Sequence, residues 1–391
     1  MTFSVREVSL GEVCEIKQGR YLAPNQMEST PTIDCIVPVI GGNGVLGYTD
    51  QSTFPFPVPL VTCRGSKCGL MQWAEPPTWI SNNAMAVYFK ENQGDNFFLH
   101  QYLLNSSFDD VTTGSAQPQI TVTNLSLKQI LLPDLKTQQS ISLIMKNIEE
   151  KIETNCALSK TLEDIAQTIF RSWFIDFDPV KAKMAGEKAT GVDAATAALF
   201  PNSMEESEIG LIPKGWGVRS IGDSVIKQKV GKLFDSKTSF PSGSTPVLDQ
   251  GKSGVVGFHD EEPGVSASPD EPLVVFANHT CLLRLISYPF SVIQNVFPLV
   301  GNKVDVIWLY FAVEGKQQFD SYKGHWPDFV LHKIIHPTEQ ATNAFRLTVE
   351  PLLKQKWLLE QQSKILSNLR DSLLPRLISG ELQIPEEILA S

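Results

Sequence analysis

Counted in sevens from Ile141, the chain places Ile141, Ile148, Asn155, Leu162 and Ile169 in one column, and Ile144, Lys151, Leu158, Ile165 and Ser172 in a second column three residues on. Apolar residues recurring on this period mark an amphipathic helix with a seam, here interrupted by polar members. Gln138, Glu149, Glu150, Glu153, Lys160, Glu163 and Asp164 fill the other faces, and neither Gly nor Pro occurs between Pro133 and Pro179. Roughly 40 helical residues at ~1.5 Å each predict a rod of ~60 Å, longer than the core of one ordinary domain is wide.

Such a seam needs a partner, and a second helix after Pro337 offers one. Advancing the first column by the 204 residues that separate Pro133 from Pro337 gives Phe345, Leu352, Leu359, Leu366 and Leu373, and Ser159-Lys160 falls on Ser363-Lys364. This is an internal duplication, so the chain consists of two similar halves. Asn155 is the odd member, matched by Leu359. A lone Asn on an apolar seam fixes register at some loss of stability; a merely solvated Asn is the plain alternative. Pro351 predicts that the second helix begins near it or kinks there, and Pro375 and Gly380 are expected to end the helical pattern.

Ahead of the first rod, Ile33–Ile40, Pro59–Thr62, Ala84–Phe89 and Ile130–Leu132 read as strands and Asn96–Leu104 as a helix. The second half repeats this order: Val45-Leu46-Gly47-Tyr48 is echoed by Val255-Val256-Gly257-Phe258, Pro59-Leu60-Val61 by Pro272-Leu273-Val274, and Leu10-Gly11-Glu12 by Ile221-Gly222-Asp223. The expected fold class is mixed α/β (α+β), with two similar globular domains separated by two long helices. The expected domains are 1–132 and 213–336, the long helices 133–180 and 337–380, a linker 181–212 and a tail 381–391.

Charge complicates any nucleic-acid reading. Net charge is −10; residues 1–135 hold 7 basic and 12 acidic side chains, and residues 205–336 hold 12 and 15. DNA binding would need a local basic face or a partner's help with the phosphates. No secretory signal pattern opens the chain and no 18-residue apolar run occurs, so the protein is expected to be cytoplasmic, with its six cysteines as thiols and no membrane partner.

Catalytic motifs fail on inspection. Gly42-Asn43-Gly44-Val45-Leu46-Gly47 has the dinucleotide spacing, but a proline-rich stretch follows where a helix is required. Gly251-Lys252-Ser253 resembles the end of a phosphate loop whose first glycine is replaced by Pro246. Pro133-Asp134 with Glu149-Glu150-Lys151 imitates a nuclease site, yet these acids belong to a helix rather than to sheet strands. His332 with His336, and Cys63 with Cys68, lack further metal ligands nearby. Asp178-Pro179-Val180 is not the aromatic-ended motif of amino-methyltransferases. The chain is expected to be non-catalytic, with neither catalytic nor metal-ligating residues of its own.

Several stretches, in order, carry a resemblance. They are Thr113-Gly114-Ser115-Ala116-Gln117-Pro118-Gln119-Ile120 leading into Ile130-Leu131-Leu132-Pro133, then Ile169-Phe170-Arg171-Ser172-Trp173-Phe174-Ile175-Asp176-Phe177-Asp178-Pro179-Val180 and Ala198-Leu199-Phe200-Pro201. Ile212-Pro213-Lys214-Gly215-Trp216 and Leu373-Leu374-Pro375-Arg376-Leu377-Ile378-Ser379-Gly380-Glu381-Leu382 complete the set. The layout resembles the DNA specificity subunit of type I restriction-modification enzymes over nearly the whole chain. The resemblance implies two target-recognition domains, each reading one half of a bipartite double-stranded DNA target, with the two long helices packed as an antiparallel coiled coil that serves as spacer. It implies docking of two methyltransferase (modification) subunits and of restriction/translocase subunits. S-adenosylmethionine, ATP and Mg²⁺ would belong to those partners, and a target base, usually adenine, would be flipped into a partner's pocket. Tyr322-Lys323-Gly324-His325-Trp326-Pro327-Asp328-Phe329 departs from the family's Gly-Ser-Ala-Gln-Pro-type turn.

Base reading needs fixed donors and acceptors on loops. The first-half candidates are Asn43, Tyr48, Arg64, Ser66, Lys67, Gln117 and Gln119; those of the second half are Lys252, Ser253, His259, Asn278, His279, Lys323, His325 and Trp326. Trp173, Phe174 and Trp357 on the rods have two readings, core packing against the adjacent domain or a docking surface for the methyltransferase. A different class of function is an interaction scaffold whose helices assemble partner proteins without sequence-specific DNA reading.

Overall fold

The structure, a computed structural model, describes residues 5–114, 116–251 and 254–385. Contacts divide the chain into two units, one formed by Met1–Thr154 with Ser363–Ser391 and the other by Asn155–Gln362.

In the first unit, strands Cys14–Gln18, Ala84–Phe89, Val58–Thr62 and Met71–Ala74 lie side by side in that order, all neighbours antiparallel. A second sheet puts Val37–Gly41 between its hairpin partner Gly44–Thr49 and the parallel strand Trp79–Ile80. The second unit repeats both sheets. Its four-stranded order is Val225–Lys227, Val296–Gly301, Leu273–Ala277, Leu283–Ile286, and its three-stranded order is Val255–His259, Thr245–Leu248, Ser291–Val292. Even the hairpin irregularity recurs, between Val39 and Ile40 in one unit and Val247 and Leu248 in the other. The central strands Val58–Thr62 and Leu273–Ala277 are buried along their whole length. Their unbroken apolar runs suit a strand covered on both faces.

The repetition extends to single hydrogen bonds. Helix Asn96–Leu104 is capped by Asp95 and helix Val306–Val313 by Asp305, each carboxylate accepting from backbone N–H groups of the first turn. Asp95 N donates to Gln138 Oε1 at 3.0 Å, and Asp305 N donates to Thr342 Oγ1 at 3.2 Å. Gln138 and Thr342 are matched positions on the two long helices. Each capping aspartate therefore ties its unit's short helix to a long one.

The long helices are Leu135–Phe174 and Glu339–Ile378, 40 residues each. Within the first unit, Ile141 and Met145 share a core with Leu374, Leu377 and Ile378. Within the second, Ala166, Phe170 and Trp173 share a core with Phe345, Val349 and Leu353. There Glu163 meets Lys356 while Phe170 meets Phe345, so the pairing is antiparallel, as the resemblance implies. The first column of the seam is buried or half-buried throughout, but the second lies four residues on, at Met145, Ile152, Ser159, Ala166 and Trp173. Leu158 and Ile165, expected on the seam, are 43% and 42% exposed.

Other expectations change. The C-terminal helix runs unbroken through Pro351 and Pro375. Proline removes one backbone bond and crowds the preceding turn, costing about 3 kcal/mol; burial of Phe345, Val349 and Leu353 in the core on either side of Pro351 offsets that. Ile33–Ile40 shortens to Val37–Gly41, with Ile33 97% exposed. The span 181–212, expected as a linker, is packed instead: Phe200 and Ile212 join the second unit's core, and Met204–Ser207 pairs with Gly210–Pro213. Trp173 and Phe174 are 3% and 2% exposed among Phe200, Phe345 and Trp216. Core packing is thus their role here, because a ring closed off from solvent offers no docking surface. Trp357 is partly buried against the same core.

Candidate nucleic-acid interface

In the first unit, two polar side chains staple the Gly42-Asn43 turn of the hairpin to the end of strand Val58–Thr62. Thr62 Oγ1 donates to Gly42 O at 2.8 Å. Gln72 Nε2 donates to Gly41 O at 2.8 Å, and its Oε1 accepts from Gly44 N at 2.9 Å. Gly44 has φ +96°, a conformation that side chains with a Cβ rarely adopt. Just beyond Thr62 the chain turns through Arg64, Gly65 (φ +87°), Ser66 and Lys67. A third segment closes on this turn: Arg64 forms an isolated bridge with Gln119, Gly65 N donates to Pro118 O, and Ile120 N donates to Cys63 O.

Asn43, Arg64, Ser66, Lys67, Gln117 and Gln119 therefore collect at the same end of the frame. All are exposed except Gln119, which is half-buried. Tyr48 is not with them: it lies at the far end of its strand, opposite Pro38 and bridged to Glu28. Thr62 and Gln72, which hold the turn, were not singled out from the sequence. Gln72, the one polar residue within Met71–Ala74, was the available signal.

The second unit builds the same corner with other residues. Lys252 and Ser253 lie outside the described residues. Arg284 ties the ends of strands Thr245–Leu248 and Val255–His259 together, its guanidinium donating to Gly254 O at 2.7 Å and to Asp249 O. Gln250 reaches across to the segment after Leu273–Ala277, accepting from His279 N at 2.7 Å and from Thr280 Oγ1 at 2.6 Å. The His279 ring is fixed on both sides. Its Nδ1 is 2.9 Å from Lys323 O, and a carbonyl only accepts, so Nδ1 carries the proton and Nε2 accepts from Asn295 Nδ2 at 3.2 Å. Tyr322, 87% exposed, stacks on that ring at 5.3 Å.

Three second-unit candidates turn out to be internal fasteners. His259 is 2% exposed, sandwiched by Phe234 at 3.9 Å and bonded to Ser291 Oγ at 2.9 Å, so its ring does not reach the surface. His325 is fully buried, with Nε2 3.0 Å from Ser321 O. Asn278 is 8% exposed; its Oδ1 accepts from Trp326 N at 2.7 Å and its backbone carbonyl from His325 N. Trp326 is half-buried among Phe276, Phe297 and Phe329.

Electrostatics separates the two corners. In the second unit Lys323 pairs with Asp328 at 3.0 Å and Asp320 at 3.3 Å, and these contacts raise its pKa above the ordinary lysine value. Asp320 is held below the ordinary carboxylate range, first by the Ser321 hydroxyl and then by Lys323. In the first unit Arg64 and Lys67 are exposed, and among the described residues neither side chain has a recorded ion pair. Two exposed cations beside an Asn and two Gln side chains make a local polar face that can address phosphates and base edges.

Residues 4–164 match the family model of the type I restriction modification DNA specificity domain. The chain is 25% identical over 333 residues to the type I restriction enzyme HindI specificity subunit of Haemophilus influenzae, covering 68% of this chain and 71% of that protein. It is 22% identical over 366 residues to the MjaIX specificity subunit of Methanocaldococcus jannaschii, covering 85% and 79%. Among solved structures, the S subunit of a type I restriction-modification system from M. genitalium aligns over 96% of both chains with a TM-score of 0.61 at 15% identity, which bears on the fold alone. With its duplicated frame and paired long helices, the chain is similar to type I restriction-modification specificity subunits, and its residues 4–164 match their DNA specificity domain.

Proposed function

We propose that this chain is the non-catalytic DNA specificity subunit of a type I restriction-modification enzyme. Each globular unit reads one half of a bipartite duplex target, and the two long helices set the gap between the halves and dock two methyltransferase subunits. Restriction/translocase subunits complete the enzyme. S-adenosylmethionine, ATP and Mg²⁺ act in those partners, while this chain supplies sequence choice.

One observation carries the reading. The same three loop segments converge at the same corner of both frames, yet with different side chains: Asn43, Arg64 and Gln119 in one unit, Gln250, His279 and Lys323 in the other. A conserved corner with exchanged side chains suits two readers of two sequences. Selection from a random duplex library, with and without a purified methyltransferase subunit, tests it. Enrichment of two short motifs at a fixed gap is expected; enrichment of none would contradict it. The net charge of −10 favours a second reading, an interaction scaffold without sequence reading, which predicts that second outcome.

A further inference from the structure

We propose that Lys227 binds a DNA backbone phosphate for the second unit, as a cation held ready between two aromatic faces. This assignment rests on the reading of the chain as a duplex-DNA reader.

Lys227 ends the strand Val225–Lys227, and its Nζ stands 3.8 Å from the ring centre of Phe297 and 3.7 Å from that of Trp326. The clamp is part of the loop corner. Trp326 is anchored through its backbone N–H to Asn278, and Asn278 precedes His279, whose ring is braced by Asn295. Lys227 is nevertheless exposed at the surface. Burial alone pulls its pKa down, with no neighbouring carboxylate contributing. Lys323, the other lysine at this corner among the described residues, is already neutralised by Asp320 and Asp328. Of the two described lysines at the second unit's corner, Lys227 is thus the one left without a counter-ion.

An ammonium over two rings keeps part of its N–H shell free while the long side chain has already lost much of its rotational freedom. Binding a phosphate then requires little further ordering. A neutral-surface role, in which the lysine stem merely covers the two rings, is the competing account. Among the described residues of the first unit, no lysine lies over two rings in this way. Its matching strand position is Ile16, and its corner relies on Arg64 and Lys67 instead.

The test uses the full chain with its methyltransferase partner, on the motif duplex that the wild type enriches and on a scrambled duplex, across a KCl series. Removing one phosphate contact should lower the slope of log K against log[KCl] by about 0.9 and weaken binding about five- to tenfold near 0.1 M salt. Lys227→Gln should show both losses equally on the two duplexes, leaving motif preference unchanged, and Lys227→Arg should restore the slope. An unchanged slope with a lowered Tm would identify Lys227 as a cover for the rings and overturn the assignment. An altered base preference would overturn it too, because phosphates carry no sequence. Failure of the wild type to enrich any motif would overturn the DNA-reading function, and this assignment with it. Motif enrichment with a normal slope in Lys227→Gln removes only the assignment.

Discussion

The two units share strand order, hairpin irregularity and helix caps, and differ where the loops meet. In the first unit the corner is open: Arg64 and Lys67 are exposed, and Gly44 and Gly65 bring backbone to the surface. In the second it is internally bonded, with Gln250, His279, Asn295, Tyr322 and Lys323 linked to one another. A frame stabilised by buried strands tolerates such exchange because the loop side chains contribute little to its core. The contrast predicts different recognition styles, with the first unit relying on flexible cations that organise on DNA and the second on a prearranged surface.

Breaking the frame should have the largest effect. Trp173→Ala removes a ring packed against Phe200 and Phe345 and should destabilise the second unit by about 3–5 kcal/mol. Hydrogen exchange should report the loss in second-unit peptides, and equal loss in both units would show that they do not fold as separate cores.

Acid should act on the first unit through His100. His100 is buried with Nδ1 unpartnered, and burial lowers its pKa from 6.5 to about 4. The unfolded chain takes up a proton that the folded one refuses, so stability is fully present above pH 6.5 and is lost as pH falls toward 4. The full loss is about 3 kcal/mol. The matching second-unit residue is Tyr310. Urea melts of His100→Leu should be flatter across this window than wild type; parallel curves would exclude His100 as the cause.

Smaller effects concern reading and register. Arg64→Ala should relax discrimination at one base of the first half-site by about 1–3 kcal/mol in competition binding and leave the second half-site unaffected. A uniform loss on all sequences would reassign Arg64 to phosphate. Asn155 is 1% exposed, and neither amide atom has a hydrogen-bond partner. Asn155→Leu, the residue at the matched position 359, should raise stability by about 1–2 kcal/mol in thermal melts. A loss would mean that the amide is satisfied in solution.

Much of the frame was legible because it rests on patterns of neighbouring residues. The helix Asn96–Leu104 and the strand Ala84–Phe89 fall where apolar content and β-branched residues place them. The second seam column was misplaced because Leu158 and Ile165 are as apolar as a seam requires, while Ser159 and Ala166 look less so. Only the geometry of the partner helix decides between spacings of three and four. Prolines 351 and 375 read as breakers in the local sequence because tertiary burial, which overrides local propensity, is not written there.

The candidate sites were legible by loop but not by side chain. His259, His325 and Asn278 carry the same polar chemistry as true surface donors, and only their burial against Phe234, Ser321 and Trp326 separates them. Lys227 was missed for the converse reason. It stands on a strand, and the aromatics that orient it come from distant parts of the chain.

Mapping of methylated bases in a host genome, after residues 213–336 are exchanged for the corresponding segment of a foreign specificity subunit, tests the central claim most directly. The account predicts that one half of the methylated motif changes while the other half and the gap persist. Methylation that stays unaltered, or both halves changing together, would contradict it.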